Sequence, residues 1–170
     1  MTRRIALIST GGTIEKTYDE LSGVLANKVS VLDVMLASLE LRGVEIVRSH
    51  LMNKDSLEMT PDDHTLIADT AARNARENAG VVIVHGTDRL AISGERVVEL
   101  AGMPASPIVL TGAMRPYELR STDALQNLTE ALLAVQLLAP GVYVAMHNQV
   151  LQFPGVRKDP SRGTFVKDGA

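Results

Sequence analysis

Short runs of aliphatic residues recur along the chain, and longer segments with helical periodicity lie between them. Five runs rich in Val, Ile and Leu predict strands that are buried on both faces, as in a parallel sheet. They cover residues 4–9, 44–48, 81–85, 108–111 and 142–146. Helices are predicted over 31–42, 61–78, 90–100 and about 121–138. Because strand and helix alternate throughout, the pattern predicts an α/β fold with helices on both faces of a mostly parallel sheet.

Local signals mark the ends of several of these elements. Ser30 with Asp33 predicts a cap before the first helix, and Thr60 followed by Pro61 predicts the start of the second. A Pro-Gly pair at 140–141 ends the fourth helix. The tail after residue 147 contains prolines and glycines, which predict a short hairpin-like segment with loops. The expected architecture is a single doubly wound domain, Rossmann-like or flavodoxin-like, over residues 1–170.

The connection between the first strand and the first helix is unusually long. It covers about residues 10–29 and contains glycines at 11, 12 and 23. Connections of this length in compact domains are usually functional lids or disordered segments. We therefore expect a mobile lid beside a ligand site.

Composition narrows the classes of function. Aromatic residues make up 3% of the chain and the net charge is −3, which argues against nucleic-acid binding. Cys is absent, which excludes disulfides, thiolate catalysis and cysteine metal sites. The four histidines have no metal-binding spacing, so no metal or cofactor is expected. No apolar run has the length of a membrane span, and a cytoplasmic protein without membrane contact is expected.

Polar and small residues follow four of the predicted strands, where ligands bind in open α/β sheets. The four segments are Ser9-Thr10-Gly11-Gly12-Thr13, Asn53-Lys54-Asp55-Ser56, Gly86-Thr87-Asp88 and Gly112-Ala113-Met114-Arg115-Pro116. The glycines of the first segment allow backbone N–H groups to face a ligand, and such donors stabilise an oxyanion beside the Thr13 hydroxyl. A simple glycine turn and a phosphate cradle are the alternatives.

The other candidates also have ordinary structural interpretations. Thr87 and Asp88 pair a hydroxyl with a carboxylate, but either residue also suits the N-cap of the following helix. Asp55 and Ser56 fit a ligand role or a loop turn. His85 ends an apolar strand, where a histidine is more often a satisfied buried group than a ligand. On residue type alone, these alternatives stay open.

Taken together, the segments resemble the bacterial-type L-asparaginase family, including the glutaminase-asparaginases. The matching stretches are ISTGGTI (8–14), DSLEMTPD (55–62), VHGTD (84–88), TGAMRP (111–116) and STDALQNL (121–128). They occur in the family's order and cover most of the chain. The resemblance implies hydrolysis of L-asparagine to L-aspartate and ammonia, through a threonine nucleophile and an acyl-enzyme intermediate.

The resemblance also implies roles for individual residues. Thr13 corresponds to the nucleophile, Thr87 to the second catalytic threonine, Lys158 to its lysine partner and Tyr18 to a lid tyrosine. The implied substrate-binding residues are Gly12, Asp55, Ser56, Asp88 and Ala113, and Asp88 is also implied in catalysis.

Family members usually have two domains and about twice this length. We therefore expect a short form that corresponds to the N-terminal catalytic domain without a second domain. Weak substrate binding and a homodimer or higher homo-oligomer that completes the site follow from this. Three positions depart from the family's pattern: Leu57, Arg89 and Ala124. The competing hypotheses are a non-catalytic amino-acid-binding module and a phosphate- or flavin-binding protein of similar architecture.

Overall fold

A computed structural model describes residues 1–169 and contains one central six-stranded sheet. Strands β1 to β10 of the described chain are Arg3–Gly11, Thr17–Asp19, Val24–Ala26, Val44–Lys54, Gly80–Val84, Ile108–Thr111, Val142–Met146, Gln149–Gln152, Val156–Asp159 and Thr164–Lys167. The central sheet has the order β4-β1-β5-β6-β7-β8. Its first five strands are parallel, and β8 runs antiparallel to β7 at the edge.

Four α-helices cover the two faces of this sheet. Helices α1 to α4 are Leu32–Ala37, Pro61–Glu77, Leu90–Ala101 and Ala124–Leu137. Helices α2 and α3 pack on the face that contains Ala6 and Ile8, whereas α1 and α4 pack on the face that contains Ile5 and Leu7. Successive strand residues point to opposite faces, so one aliphatic strand supplies both cores. The predicted doubly wound, mostly parallel α/β fold is confirmed.

The start of α2 follows the local sequence closely. Thr60 Oγ1 accepts a hydrogen bond from the Asp63 N–H at 3.3 Å, and the Asp63 carboxylate accepts one from the Thr60 N–H at 2.8 Å. Pro61 occupies the first helical position, where its missing N–H has no cost. This reciprocal pair satisfies two backbone donors of the helix end.

Two helix boundaries differ from the prediction. Helix α1 ends at Ala37 rather than near residue 42, because the following chain turns at Ser38, whose hydroxyl donates to the Met35 carbonyl at 2.7 Å. The helix starts after Val31, and Ser30 contributes to this start only through a long hydrogen bond, at 3.4 Å, that its Oγ accepts from the Leu32 N–H, while its hydroxyl donates to the Glu15 carboxylate. Helix α4 begins at Ala124 rather than at residue 121.

The predicted loop over residues 10–29 contains regular structure. A 3₁₀ turn covers Thr13–Glu15, and β2 pairs with β3 as an antiparallel hairpin. The predicted tail hairpin is also present, as β9 paired with β10. A two-residue turn joins β7 to β8, with φ of 52° at His147 and 60° at Asn148. Both values lie in the left-handed region that type I′ hairpin turns require.

The four α-helices of the described chain are 6 to 17 residues long. None of them combines the length and the apolar character needed to cross a membrane.

Candidate active site

The first strand-end loop passes against the third at a pair of glycines. Gly12 has a φ of 84°, which favours glycine, and a Cβ there would overlap backbone atoms of Gly86. Thr13 and Thr87 directly follow these two glycines. The close backbone approach therefore brings together the two loops that carry the predicted catalytic threonines.

The second and fourth loops pack against the same point. A Cβ at Gly86 would lie 2.8 Å from Oγ of Ser56, and a Cβ at Gly112 would lie 3.3 Å from Cγ2 of Thr87. Ser56 Oγ also accepts a hydrogen bond from the Arg89 N–H at 3.2 Å. Four loops from different strands thus meet at the carboxyl ends of β1, β4, β5 and β6, as expected for an open α/β sheet.

A lysine from the tail joins the third loop. Lys158 Nζ donates to Thr87 Oγ1 at 2.9 Å and to Asp88 Oδ1 at 2.7 Å. The Lys158 side chain is 21% exposed and the Asp88 side chain is 46% exposed. The hydroxyl, ammonium and carboxylate therefore form one chain at the solvent-open rim of the sheet edge.

Asp55 forms a second ion pair beside this cluster. Its carboxylate accepts from Lys16 Nζ at 2.7 Å and from the Leu57 N–H at 3.0 Å. The Lys16 hydrogen bond and then the Leu57 N–H hold the pKa of Asp55 below its ordinary value, so the carboxylate is ionised at neutral pH. Asp55 also lines a cavity of about 340 Å³ between the second loop and the β2–β3 hairpin, which lies in the predicted lid segment and is called the lid hairpin below.

The predicted lid segment, residues 10–29, contacts the glycines of the first loop through Asn27. Asn27 Nδ2 donates to the Gly12 carbonyl at 2.8 Å and to Asn53 Oδ1 at 3.2 Å. Tyr18, the predicted lid tyrosine, is 60% exposed, and its backbone N–H donates to the Glu118 carboxylate. The lid hairpin therefore approaches the site through Asn27, while the Tyr18 ring faces solvent.

Ala113 and His85 lie inside the protein. Ala113 is 1% exposed and packs in the core on the α4 side. His85 is fully buried, with Nδ1 2.7 Å from the Gly86 carbonyl and Nε2 2.7 Å from Ser93 Oγ. Ser93 Oγ also lies 2.7 Å from Nδ1 of His64. Burial lowers the pKa of His85 to about 4, so it is a neutral, hydrogen-bonded core residue, as its strand position predicted.

A second polar group near the site was not singled out from the sequence. Asp123 Oδ2 accepts from His147 Nε2 at 2.6 Å, and His147 Nδ1 lies 3.0 Å from Thr164 Oγ1. Burial acts to raise the pKa of Asp123, but the Met114 N–H and then the His147 ring outweigh it and lower the pKa. The acidic residue at the predicted start of α4 was the available signal, whereas nothing in the sequence links it to His147.

The arrangement combines groups suited to acyl transfer. Two threonine hydroxyls follow contacting glycines, and one of them meets a lysine ammonium. Carboxylates at Asp88 and Asp55 supply negative charge for a cationic ligand group. Gly12, Ser56, Thr87, Asp88 and Lys158 are brought together, whereas the Ala113 and Tyr18 side chains point into the core and into solvent.

Comparisons with known proteins agree on one family. Residues 4–164 match the family described as "Asparaginase, N-terminal". The L-asparaginase of Thermococcus kodakarensis is 32% identical over 162 residues, which cover 94% of this chain and 49% of that protein. A glutamyl-tRNA(Gln) amidotransferase subunit of Haloquadratum walsbyi is 34% identical over 145 residues, which cover 84% of this chain and 33% of that protein.

The fold gives the same result. The structure of the thermostable L-asparaginase from Thermococcus kodakarensis superposes with a TM-score of 0.83 and 32% identity, over 96% of this chain and 51% of that chain. The present chain thus spans about half the length of that relative. The family match over residues 4–164, on a fold shared with an L-asparaginase, shows that this chain belongs to the asparaginase family.

Proposed function

We propose that this chain carries the catalytic groups of an amidohydrolase that converts L-asparagine and water to L-aspartate and ammonia. The observation that carries the proposal is the contact of Lys158 Nζ with both Thr87 Oγ1, at 2.9 Å, and Asp88 Oδ1, at 2.7 Å. These groups come from the third strand-end loop and the tail hairpin. A hydroxyl needs an adjacent base or a positive field to react. The Lys158 amino group, which contacts the Thr87 hydroxyl beside the Gly12–Gly86 pair, is proposed to supply it.

In the first half-reaction, Thr13 Oγ attacks the side-chain amide carbon of the substrate. Lys158 first gives one proton to solvent, the Thr13 hydroxyl proton then passes through Thr87 to the neutral Lys158 amine, and the ammonium that forms again is stabilised by Asp88. That ammonium returns the proton to the departing nitrogen, which leaves as ammonia, and Thr13 retains the acyl group as an ester. Backbone N–H groups of the glycine loop are the proposed donors to the transient oxyanion.

In the second half-reaction, water replaces the amine at the acyl carbon. The Thr87–Lys158 pair accepts a proton from the attacking water, and the ester bond to Thr13 breaks. The proton returns to Thr13 Oγ, which releases L-aspartate and restores the hydroxyl. The same pair therefore acts in both directions, as microscopic reversibility of acid–base catalysis requires.

The substrate is a zwitterion, and the site offers complementary groups. Asp88 and Asp55 are proposed to bind the ammonium group, whereas the Ser56 hydroxyl and the backbone at Gly12 and Ala113 bind the carboxylate. The Lys16 hydrogen bond holds the pKa of Asp55 below its ordinary value, so this carboxylate is ionised before substrate arrives, and Asp88 Oδ1 lies 2.7 Å from Lys158 Nζ. Tyr18 is proposed to reach the substrate only when the lid hairpin closes.

The test is ammonia release by the purified chain from L-asparagine, L-glutamine and D-asparagine. Thr13→Ala and Thr87→Ala are each expected to lower turnover of L-asparagine by roughly three orders of magnitude, since nucleophile and relay act as a unit. Ser22→Ala, at the tip of the lid hairpin, is the matched loss of a hydroxyl outside the site and should keep the wild-type rate. A near-normal rate in Thr13→Ala would remove Thr13 from the role of nucleophile.

The relationship to an amidotransferase motivates a second candidate function. In that case the ammonia from the amide would be used by a partner protein. The 34% identity to a glutamyl-tRNA(Gln) amidotransferase subunit over 84% of this chain is the supporting observation. The two functions differ in whether the chain alone releases ammonia from L-asparagine. A chain that binds L-asparagine in calorimetry without turnover would instead support an amino-acid-binding module.

We also propose that a second copy of the chain completes the substrate pocket. The exposure of Asp88, at 46% of its side chain, leaves the cluster open on one side. Weak substrate binding is expected from such an open site, and a Michaelis constant in the low micromolar range would contradict it. Sedimentation velocity across micromolar concentrations tests the dimer, and a fully active monomer would exclude it.

A further inference from the structure

Beside the proposed catalytic cluster, one carboxylate connects three parts of the fold. Asp123 accepts hydrogen bonds from the backbone N–H groups of Met114 and Arg115, both at 3.0 Å, and from Asn127 Nδ2 at 2.9 Å. Its Oδ2 also accepts from His147 Nε2 at 2.6 Å. Asp123 therefore joins the fourth strand-end loop, helix α4 and the β7–β8 turn.

His147 extends this connection to the hairpin that carries Lys158. The Nε2–H of His147 donates to Asp123, and the other ring nitrogen, Nδ1, lies within hydrogen-bond distance of the Thr164 hydroxyl, at 3.0 Å. Thr164 opposes Asp159 across the β9–β10 ladder, and the next pair in register is Phe165 with Lys158. The imidazole therefore contacts β10, the strand that pairs with the part of β9 that carries Lys158. The contact is at Thr164, next to Phe165, which pairs with Lys158.

The turn end of this hairpin has few other polar attachments to the sheet. The hydrogen bonds of Ser161 and of the Arg162 N–H all go to Asp159, within the turn itself. Val156, at the open end of the hairpin, is 4% exposed, and Phe165, the residue after Thr164, is 2% exposed, and both side chains anchor the hairpin in the core. Thr164 lies between Phe165 and the turn, so its link to His147 adds a polar restraint on the turn side of these two core residues.

The backbone at His147 is shaped for this contact. Its φ of 52° is unusual for a residue with a side chain, and its N–H donates to Asn127 Oδ1 at 3.1 Å. Asn127 Nδ2 also donates to the Gly112 carbonyl at 2.9 Å, and Gly112 packs against Thr87. One network thus restrains both partners of the Lys158–Thr87 contact.

From this geometry we propose that His147, acting through Thr164, is a positioning residue that holds the β9–β10 hairpin so that Lys158 reaches Thr87 and Asp88. The proposal rests on the hydrolysis proposed above for its effect on rate. Its effect on the hairpin is independent of any reaction.

Two measurements test it, amide hydrogen exchange of residues 156–167 without substrate and steady-state kinetics with L-asparagine. Thr164→Val keeps the size of the side chain and removes the hydroxyl, and His147→Asn removes the imidazole but tolerates the left-handed backbone. In both variants, exchange in β9 is expected to rise about tenfold while β1 and β5 keep their protection. We expect kcat to fall about tenfold with KM within about threefold, because Lys158 acts in proton transfer.

Two further variants complete the design. Thr164→Ser restores the hydroxyl and should recover both exchange and kcat, whereas Ser161→Ala removes a hydroxyl confined to the turn and should leave both unchanged. Wild-type exchange and kcat in Thr164→Val would overturn the proposal, as would increased exchange at unchanged kcat. If the wild-type protein does not hydrolyse L-asparagine, the proposed function fails, and the exchange of Thr164→Val alone decides whether His147 holds the hairpin.

Discussion

The backbone around Gly12 and Gly86 leaves no room for one methyl group, whereas the β9–β10 hairpin reaches the same site through side-chain hydrogen bonds. The first region, through the backbone contact of Gly12 with Gly86, determines the positions of Thr13 and Thr87. The second brings Lys158 to them from the far end of the described chain. Backbone packing cannot be adjusted without moving strands, but a side-chain contact can be weakened in small steps. Substitutions in the first region should therefore lower both stability and rate, whereas substitutions in the second should lower mainly the rate.

The glycine contact gives the largest expected effect. Gly12→Ala adds a Cβ that overlaps Gly86 backbone at a φ of 84°, so it strains the first loop and separates it from the third. We expect a loss of at least about a thousandfold in kcat/KM and of about 2–4 kcal/mol in the free energy of unfolding. Enzyme assays and urea unfolding measure the two losses.

Gly23→Ala is the matched control for this strain. Gly23 also has a positive φ, 70°, but a Cβ there would meet no atom within 4 Å. Its backbone strain should cost about 1 kcal/mol with little change in rate. Equal losses in the two variants would show that backbone conformation alone, without the contact between loops, explains the effect.

Removal of the Lys158 ammonium is expected to act on rate rather than on the fold. Lys158→Met keeps the aliphatic stem and removes the donor to Thr87 and Asp88. We expect kcat to fall by about a hundredfold, in the range of lost acid–base catalysis, with a change in unfolding free energy below about 1 kcal/mol for this partly exposed pair. Lys167→Met, in the same hairpin, should retain the wild-type rate. A stability loss as large as that of Gly12→Ala would contradict the contrast between the two regions.

The buried His85, which directly precedes Gly86, gives a pH test of the first region, the rigid backbone contact around Gly12 and Gly86. Burial lowers the pKa of His85 to about 4, while the unfolded chain protonates near 6.5. The contribution of His85 to stability is therefore fully present above pH 6.5 and is lost as the pH falls towards 4, by about 3 kcal/mol in total. Urea unfolding at several pH values measures this slope. His85→Gln should flatten the slope between pH 4 and 6.5, and an unchanged slope would assign the effect to other groups.

The strands and loops of the rigid region were easier to predict from the sequence than the side-chain contacts of the hairpin. The aliphatic runs predicted β1, β5, β6 and β7 because strands buried on both faces need few polar residues. The strand-end loops followed from that prediction. Strand β4 was predicted too short, since it lies at the sheet edge and continues to Lys54 through residues that are mostly polar and not fully buried.

The side-chain contacts were harder to predict. Lys158 and Thr87 are 71 residues apart, and only resemblance to a family linked them, because spacing does not determine which tail strand folds back onto which loop. His147 was missed because its turn lacks the glycine that usually marks a type I′ turn. The β2–β3 hairpin was missed for a related reason: the two strands are three residues long and contain no buried residue, so they have no burial pattern.

The smallest expected effect concerns the lid, which touches the rigid region through Asn27. Asn27→Ala removes the donor to the carbonyl of Gly12, the residue before the proposed nucleophile Thr13. Gly12 is also held by its own N–H, which donates to the Lys54 carbonyl at 2.8 Å. The loop should therefore keep its shape, and the loss should fall on lid closure over substrate. We expect KM to rise about three- to tenfold with kcat within about threefold. If kcat fell as far as in Lys158→Met, Asn27 would act in the catalytic cluster itself and not only in closure of the lid. The division into a rigid backbone region and an adjustable side-chain region would then be wrong at Asn27.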